Sequence, residues 1–307
     1  MKFALNIPLA RIAPGVGGAA GEEVRDMVRA LEAAGLDACL TSEHPAPSAH
    51  WLHNDPGGHD CTDPLTAFAY VAACTARLML FTNVIVLPYR NPFLLAKAAA
   101  TLQILSGNRL LLGVGVGYQQ EEFDALGVNY GERGALADEA LETLRAVWAG
   151  GPVVRKGRHF DAPGNEARPV PSPPPPIWVG GGSDRALERA ARLGDGWVPY
   201  FTVPTNDPVV RRSAVTDMVH FAEKLARLHE LRDRAGRSGA FDLSVAPPFR
   251  PKEATRANAE RFLDEVGELE ALGVNWIWTS LPATSPEQYR EFVAWFGEEV
   301  IAAHRAR

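Results

Sequence analysis

LMLFTNVIVLPYRNPFLLAKAAATLQILSGNRLLLGVGVG (78–117) carries one complete structural unit. Residues 78–88 are almost continuously apolar, which suits a strand covered on both faces rather than one with a wet side. Asn91 and Pro92 supply a cap and a proline at the first helical turn, and Gly107 is placed to stop the helix that follows. RLLLGVGVG (109–117) then returns as a strand with its glycines at the far end. Strand, helix and strand in this order predict a parallel crossover.

Outward from this unit the same alternation recurs. On the N-terminal side lie KFALNIP (2–8), a Gly-rich loop, and a helix from about Glu22 to Ala34 whose buried face would take Val24, Met27, Val28 and Leu31. A strand at Ala38–Thr41 leads into a long polar loop, SEHPAPSAHWLHNDPGGHDCTD (42–63), and Asp63-Pro64 starts a helix running to Cys74. That loop far exceeds the usual ~4–6 residues and reads as functional or mobile. On the C-terminal side come a helix over 132–148 and an excursion over 150–176 that ends in PVPSPPPP and cannot be helical. Then IWVGG, DGWVPY, FDLSVAP and NWIWTS are each followed by a helix, over 184–193, 215–234, 254–272 and 286–304.

Eight such units at roughly 38 residues each predict an α/β fold, a (β/α)8 TIM barrel with loop insertions spanning 1–307 as one domain. The competing arrangement is an open doubly wound sheet, divided near the proline run. The strand count favours closure.

The chain has 307 residues, 46% hydrophobic and 22% charged, enough for a large core and too apolar for a disordered chain. With 31 Lys and Arg against 37 Asp and Glu, the net charge of -6 offers no global basic field for nucleic acid or anionic membrane. Cys39, Cys61 and Cys74 are odd in number and lack CxxC spacing, which argues against a disulfide scaffold or structural zinc. No apolar stretch approaches the ~20 residues of a membrane span. A soluble cytoplasmic protein is expected.

In a barrel, chemistry gathers at the C-terminal ends of the strands. There the sequence places Asn6, Ser42, Glu43, His44, Thr82, Asn83, Gly113 to Tyr118, and Gly180 to Ser183. The GGGS run between a strand and a helix reads as a phosphate cradle or as a tight turn. The alternating Gly113, Gly115 and Gly117 lack Rossmann spacing. They clear one strand face for a cofactor ring or for a tightly packed barrel layer. His44 is the candidate acid, base or substrate-orienting group, with a structural histidine as the alternative, and its neighbour Glu43 points elsewhere if the segment is extended. His50, His53, Asp55, His59 and Asp60 have no recognised metal spacing and read as loop or lid residues, so no metal is expected. GxSxG, P-loop and HExxH motifs are absent, which fits a reaction whose electron chemistry belongs to an organic cofactor.

LEAAGLDACLTSEH, the stretch from FTNVIVLPYRNP to FDALGV, and PPPPIWVGGGSDRALERAARLGDGWVPY together resemble the bacterial luciferase-like monooxygenase superfamily, in particular its branch of F420-dependent oxidoreductases. The resemblance covers nearly the whole chain. It implies a (β/α)8 barrel, often homodimeric, holding coenzyme F420 or alternatively FMN at its mouth. It makes His44 the active-site histidine and places Asn83-Val84 where many relatives have a non-prolyl cis peptide behind the ring. By the same resemblance Gly115, Gly117, Tyr118, Gly181, Gly182 and Ser183 serve the ribityl chain and phosphate. F420 implies hydride exchange with a small organic substrate, FMN a monooxygenase reaction, and a non-catalytic flavin-binding barrel is the remaining alternative. The branch that oxidises glucose 6-phosphate has an acid where this chain has Tyr118 and a tryptophan near Ser48, which argues against that sugar. Trp51, close to but not matching that tryptophan, reads as loop packing.

Overall fold

Eight parallel strands close on themselves. They are β1 (Lys2–Asn6), β2 (Ala38–Thr41), β3 (Met79–Thr82), β5 (Leu110–Gly115), β8 (Ile177–Gly180), β9 (Gly196–Val198), β10 (Asp242–Val245) and β11 (Trp276–Thr279), and a short β4 (Ile85–Val86) also lies against β5. The ring runs β3-β2-β1-β11-β10-β9-β8-β5 and shuts where Leu80 pairs with Leu110 and Phe81 with Leu111. This computed structural model describes residues 1–9, 20–201 and 205–307; most of the Gly-rich loop expected after β1 lies outside them. The closed ring rules out the open-sheet arrangement.

Helices fall where their caps put them. Asp63 accepts from the Thr66 N–H at the head of helix Pro64–Cys74, and Asn91 from the Phe93 N–H at the head of helix Pro92–Leu105. Helix Ala20–Ala33 buries Met27, Val28 and Leu31, while Val24 stays only partly covered. The helix expected over 215–234 begins later, at Met218, after a separate short helix Pro208–Ser213. The last helix is regular over Pro286–Trp295 and then widens into a π-helical stretch, Phe296–Ala302. Residues 150–176 are not simply extended: β6 (Val153–Lys156) and β7 (Asp161–Asn165) form an antiparallel hairpin before two cis X-Pro bonds, Arg168-Pro169 and Ser172-Pro173. Among the described residues, no helix is long and apolar enough to cross a membrane.

The barrel interior is filled unevenly. Ala4, Ala38, Leu40, Phe81, Leu111, Trp178, Val198 and Trp276 form the inner cluster. Trp178 packs edge-on to Phe81 at 4.9 Å and to Trp276 at 5.2 Å. So large a ring needs space, and Gly196 provides it: a Cβ there would lie 2.4 Å from the Trp178 indole.

The apolar run 78–88 is not one strand. It breaks at Asn83-Val84, whose peptide is cis, and resumes as β4 and a 3-10 turn, Leu87–Tyr89. The glycines of β5 answer this break. A Cβ on Gly113 would lie 2.0 Å from the Thr82 carbonyl oxygen, and one on Gly115 2.8 Å from a Val84 methyl. Gly180 on β8 faces the other Val84 methyl at 2.9 Å, so Val84 is wedged between two strands that carry no side chain there. Of the two open readings of GVGVG, tight packing holds at Gly113 and Gly115.

Gly113→Ala is therefore expected to destabilise the barrel by about 1–3 kcal/mol through overpacking against backbone. Gly267→Ala lies in helix Arg256–Ala271, where nothing is within 4 Å of the added methyl. It should stabilise by about 0.5–1 kcal/mol. Urea unfolding of the two variants reads both signs.

Candidate active site

His44 stands just beyond β2, at the C-terminal rim of the barrel. Its ring is buried, and its Nδ1 lies 3.1 Å from Glu122 Oε2 and 2.9 Å from Gln119 Nε2. Glu122 is itself almost wholly buried. It accepts the Ala46 N–H at 3.2 Å on one oxygen and the Tyr89 hydroxyl at 3.1 Å on the other. A buried carboxylate is tolerable only when its lone pairs are met, and a proton on His44 Nδ1 supplies a third donor. That tautomer puts an N–H opposite the Gln119 amide. Turning the amide over would place an acceptor beside Nδ1, but it would move the amide N–H groups into the buried position where Oε1 now has no partner. Nε2 has no protein partner among the described residues and is the nitrogen left open for chemistry.

The backbone of His44 is fixed as well. Its N–H donates to Cys61 Sγ at 3.0 Å, and burial pushes the Cys61 thiol up to about 11, so at neutral pH it remains a thiol. Glu43 turns away from His44, as an extended segment requires. It accepts the Val86 N–H at 2.6 Å and pairs with Arg90, which also reaches Asp63. Burial pushes the Glu43 carboxyl up from its ordinary value, opposed by Arg90 and the Val86 N–H.

The loop 42–63 holds more structure than its composition suggests. Ser48 caps a short helix, Ala49–Asn54, that delivers Trp51 onto His44 with ring centroids 4.5 Å apart. His59 and Tyr118 complete the cluster, 5.0 and 5.8 Å from His44. Trp51 is thus no mere loop packing, although its indole N–H is buried without a partner. His59 Nδ1 lies 2.8 Å from the Gly57 carbonyl, which only an N–H can satisfy, leaving Nε2 to accept from Ser42 Oγ at 2.9 Å. Burial raises the Tyr118 phenol well above its ordinary value, so it stays neutral.

Among the expected cofactor residues, Asn83 and Val84 lie partly exposed at the mouth, with Val84 presenting an apolar ledge. Gly117 has a φ of 78° and would press a Cβ into Val86 and Phe123, so it serves the turn after β5. The GGGS segment is less open than its composition suggests. The Gly181 N–H donates to Val198 O at 3.0 Å and the Gly182 N–H to Ser213 O at 3.1 Å, while Ser183 caps helix Asp184–Leu193 by accepting the Ala186 N–H. Gly182 is small because Ser213 O would lie 2.5 Å from its Cβ. Donors for an anion must therefore come from the first turn of that helix rather than from the two glycines. Among the described residues, no group of His, Cys, Asp or Glu has the arrangement of a metal site.

Gln119 and Glu122 escaped sequence reading. The only signal was the acidic start of the helix after β5, which also fits a helix cap.

A parallel barrel with a buried His–Glu pair, an aromatic cover and an apolar ledge at its C-terminal mouth defines the class of protein. The profile of the luciferase-like monooxygenase family matches residues 1–305, and the chain belongs to that family. It is 32% identical over 236 residues to an uncharacterized protein of Mycobacterium tuberculosis, covering 76% of this chain and 75% of that one. It is also 32% identical over 297 residues to the F420-dependent glucose-6-phosphate dehydrogenase of the same organism, covering 90% and 86%. The monooxygenase RslO1 from Streptomyces bottropensis shares the fold, with a TM-score of 0.77 at 20% identity over 99% of this chain and all of that one.

Asp55 ties the loop across the mouth, accepting the Gly57 N–H at 2.7 Å and the Asn206 N–H at 2.8 Å. Burial pushes its carboxyl up, but those two N–H groups and the Thr205 hydroxyl outweigh it and hold the pKa below the ordinary value. A depressed carboxylate contributes above its unfolded pKa, near 3.9, and the contribution is lost as pH falls through the folded value. Hydrogen exchange in the 49–59 segment should therefore stay slow at neutral pH and quicken, after correction for intrinsic rates, below about pH 4. Asp55→Asn, which cannot ionise, should remove that acid-dependent step.

Proposed function

We propose that this chain is a coenzyme F420-dependent oxidoreductase that moves hydride to or from a small organic substrate, with reduced-FMN-dependent monooxygenation as the alternative. The observation that carries the reading is His44: Nδ1 is anchored on a buried carboxylate, and Nε2 is open at a mouth floored by Val84. Whole-length similarity to an F420-dependent dehydrogenase supports the choice of F420, and the fold shared with a monooxygenase keeps FMN in view.

The residues fit a flat tricyclic ring. Val84, seated on Gly115 and Gly180, offers the apolar surface, and Asn83 adds a partly exposed amide next to it. Gly115, Gly117 and Tyr118 line the approach from β5, and the helix headed by Ser183 offers its free first-turn N–H groups and dipole to a phosphate beside Gly181 and Gly182. When bound, the ring supplies the site that gives or takes the hydride. His44 Nε2 orients the reacting oxygen of the substrate and holds or releases its proton. Glu122 keeps the imidazole in one tautomer and stabilises its positive charge while the proton is held. Trp51 and Tyr118 exclude water from that exchange. Tyr118, neutral where the sugar-phosphate branch has an acid, leaves His44 as the proton carrier here.

A homodimer accords with the outer surface. Helix Pro64–Cys74 has no charged residue, and helix Pro92–Leu105, packed beside it, has only Lys97. Leu94 and Leu105 are 72% and 77% exposed and Ile104 is exposed on the same helix, apolar surface that a second copy would cover. Light scattering should give twice the monomer mass for the wild type and a smaller mass for Leu94→Glu/Leu105→Glu.

Separate titrations with F420 and FMN, followed by chromophore fluorescence, test the cofactor. Tight F420 binding with substrate-dependent oxidation of its reduced form is the expected result. Selective FMN binding with oxygen-dependent product formation would instead establish the monooxygenase, and binding of neither by folded protein would establish the non-catalytic barrel. His44→Ala should keep the fold and most of the cofactor affinity while losing about 10²–10⁴-fold in kcat/KM. Unchanged turnover would reduce His44 to a packing residue.

A further inference from the structure

Beyond β10 the chain runs Ala246-Pro247-Pro248-Phe249-Arg250 along the rim of the barrel, across the mouth from His44. Prolines fix φ and donate no hydrogen bond, so this segment leaves the ladder as a stiff strip. Between it, Phe201 after β9 and helix Arg256–Ala271 opens a cavity of about 700 Å³. Three cations line it, Arg250, Lys252 and Arg261, against two carboxylates, Glu253 and Glu265.

Two of these charges build the wall. Arg261 stacks 4.1 Å over the Phe249 ring, and Glu265 accepts the Phe249 N–H at 2.7 Å. Arg250 is different. Its guanidinium lies 5.7 Å from the ring of Trp278, an inward-facing residue of β11, and no ion pair or hydrogen bond engages it among the described residues. Burial pushes its pKa down, and no neighbouring carboxylate opposes that push. Arg250 is half-buried and lines the cavity, and with no partner among the described residues its planar fork is available to a ligand there.

We infer that this cleft seats an oxyanion, the carboxylate or phosphate of the organic substrate, with Arg250 as its two-pronged partner and Lys252 as the second cation. Arg250 is a specificity-determining residue, since the planar fork matches a pair of acceptor oxygens and Lys252 at the exposed rim adds a charge with no partner among the described residues. The assignment rests on the reading of the mouth as an oxidoreductase site. Its test needs neither cofactor nor turnover, so the two readings fail separately.

Calorimetric titration of the full-length protein with inorganic phosphate at constant ionic strength, with chloride as the control, is expected to show selective binding. Arg250→Met, which keeps the stem over Trp278, should weaken it at least about tenfold, and Arg250→Lys should fall between. In phosphate-free buffer Arg250→Met should melt no lower than wild type, because it breaks no ion pair or hydrogen bond among the described residues. Equal phosphate binding by all three proteins, no preference for phosphate over chloride, or a lower melting temperature for Arg250→Met without phosphate would each overturn the proposal. A last arm separates the sources of the anion: if saturation with F420 abolishes the Arg250-dependent binding, the cleft belongs to the cofactor and the substrate assignment is overturned. Retained binding supports it.

Discussion

Two buried carboxylates on either side of His44 set the geometry of the mouth. Each would cost several kcal/mol if left unmet in the interior, so the surrounding chain is constrained to bring donors to it. Glu43 draws in the Val86 N–H and Arg90, and through Arg90 it reaches Asp63 at the head of the next helix. Glu122 draws in the Ala46 N–H, the Tyr89 hydroxyl and His44. The end of β2, the break after β3 and the helix after β5 are thereby locked to one another. His44 inherits its position from that lock, and its open nitrogen follows from the nitrogen that Glu122 occupies.

The lock depends in turn on the absence of side chains. Val84 can sit between β5 and β8 only because Gly115 and Gly180 leave the room, and Thr82 can approach β5 only because Gly113 does. Once Val84 is seated, β4 is placed to offer the Val86 N–H to Glu43. Thus the glycines act on the histidine through packing, from two strands away for β5 and three for β8 in the ring order, without touching it.

Much of this was legible in the amino-acid order, because the deciding signals were local. The eight-fold alternation, the Asp63-Pro64 and Asn91-Pro92 caps and the stop at Gly107 all lie within a few residues of the structure they specify. The exit of His44 at the rim was equally readable, since it follows directly from where β2 ends. The role of Trp51 was not, because composition marks 42–63 as a polar loop and only contact with a ring from another element separates a cover from filler. Glu122 lies 78 residues from His44 in sequence, and two adjacent glutamates at a helix start look like ordinary dipole-matching charges. The GGGS run is ambiguous in a more specific way: glycine freedom is the same whether a backbone makes room for a phosphate or for the Ser213 carbonyl, and only the partner decides.

The two halves of the mouth have opposite electrostatic character, and this gives the site a direction. On the β2 side the charges described are matched: buried Glu43 by Arg90, buried Glu122 by three donors, and half-buried Asp55 by backbone N–H groups. Such matching fixes a proton-handling group without adding net attraction for a ligand. On the β10 side Arg250 lines a cavity with no partner among the described residues, the arrangement on which the proposed anion seat rests. Asp55, reaching from loop 42–63 to Thr205 and Asn206 beyond β9, joins the halves. With a fixed proton-handling group on one side and, on the other, a cation that has no partner among the described residues, the proposed anion seat would make a molecule with one charged end lie with that end toward β10 and its reactive end toward His44.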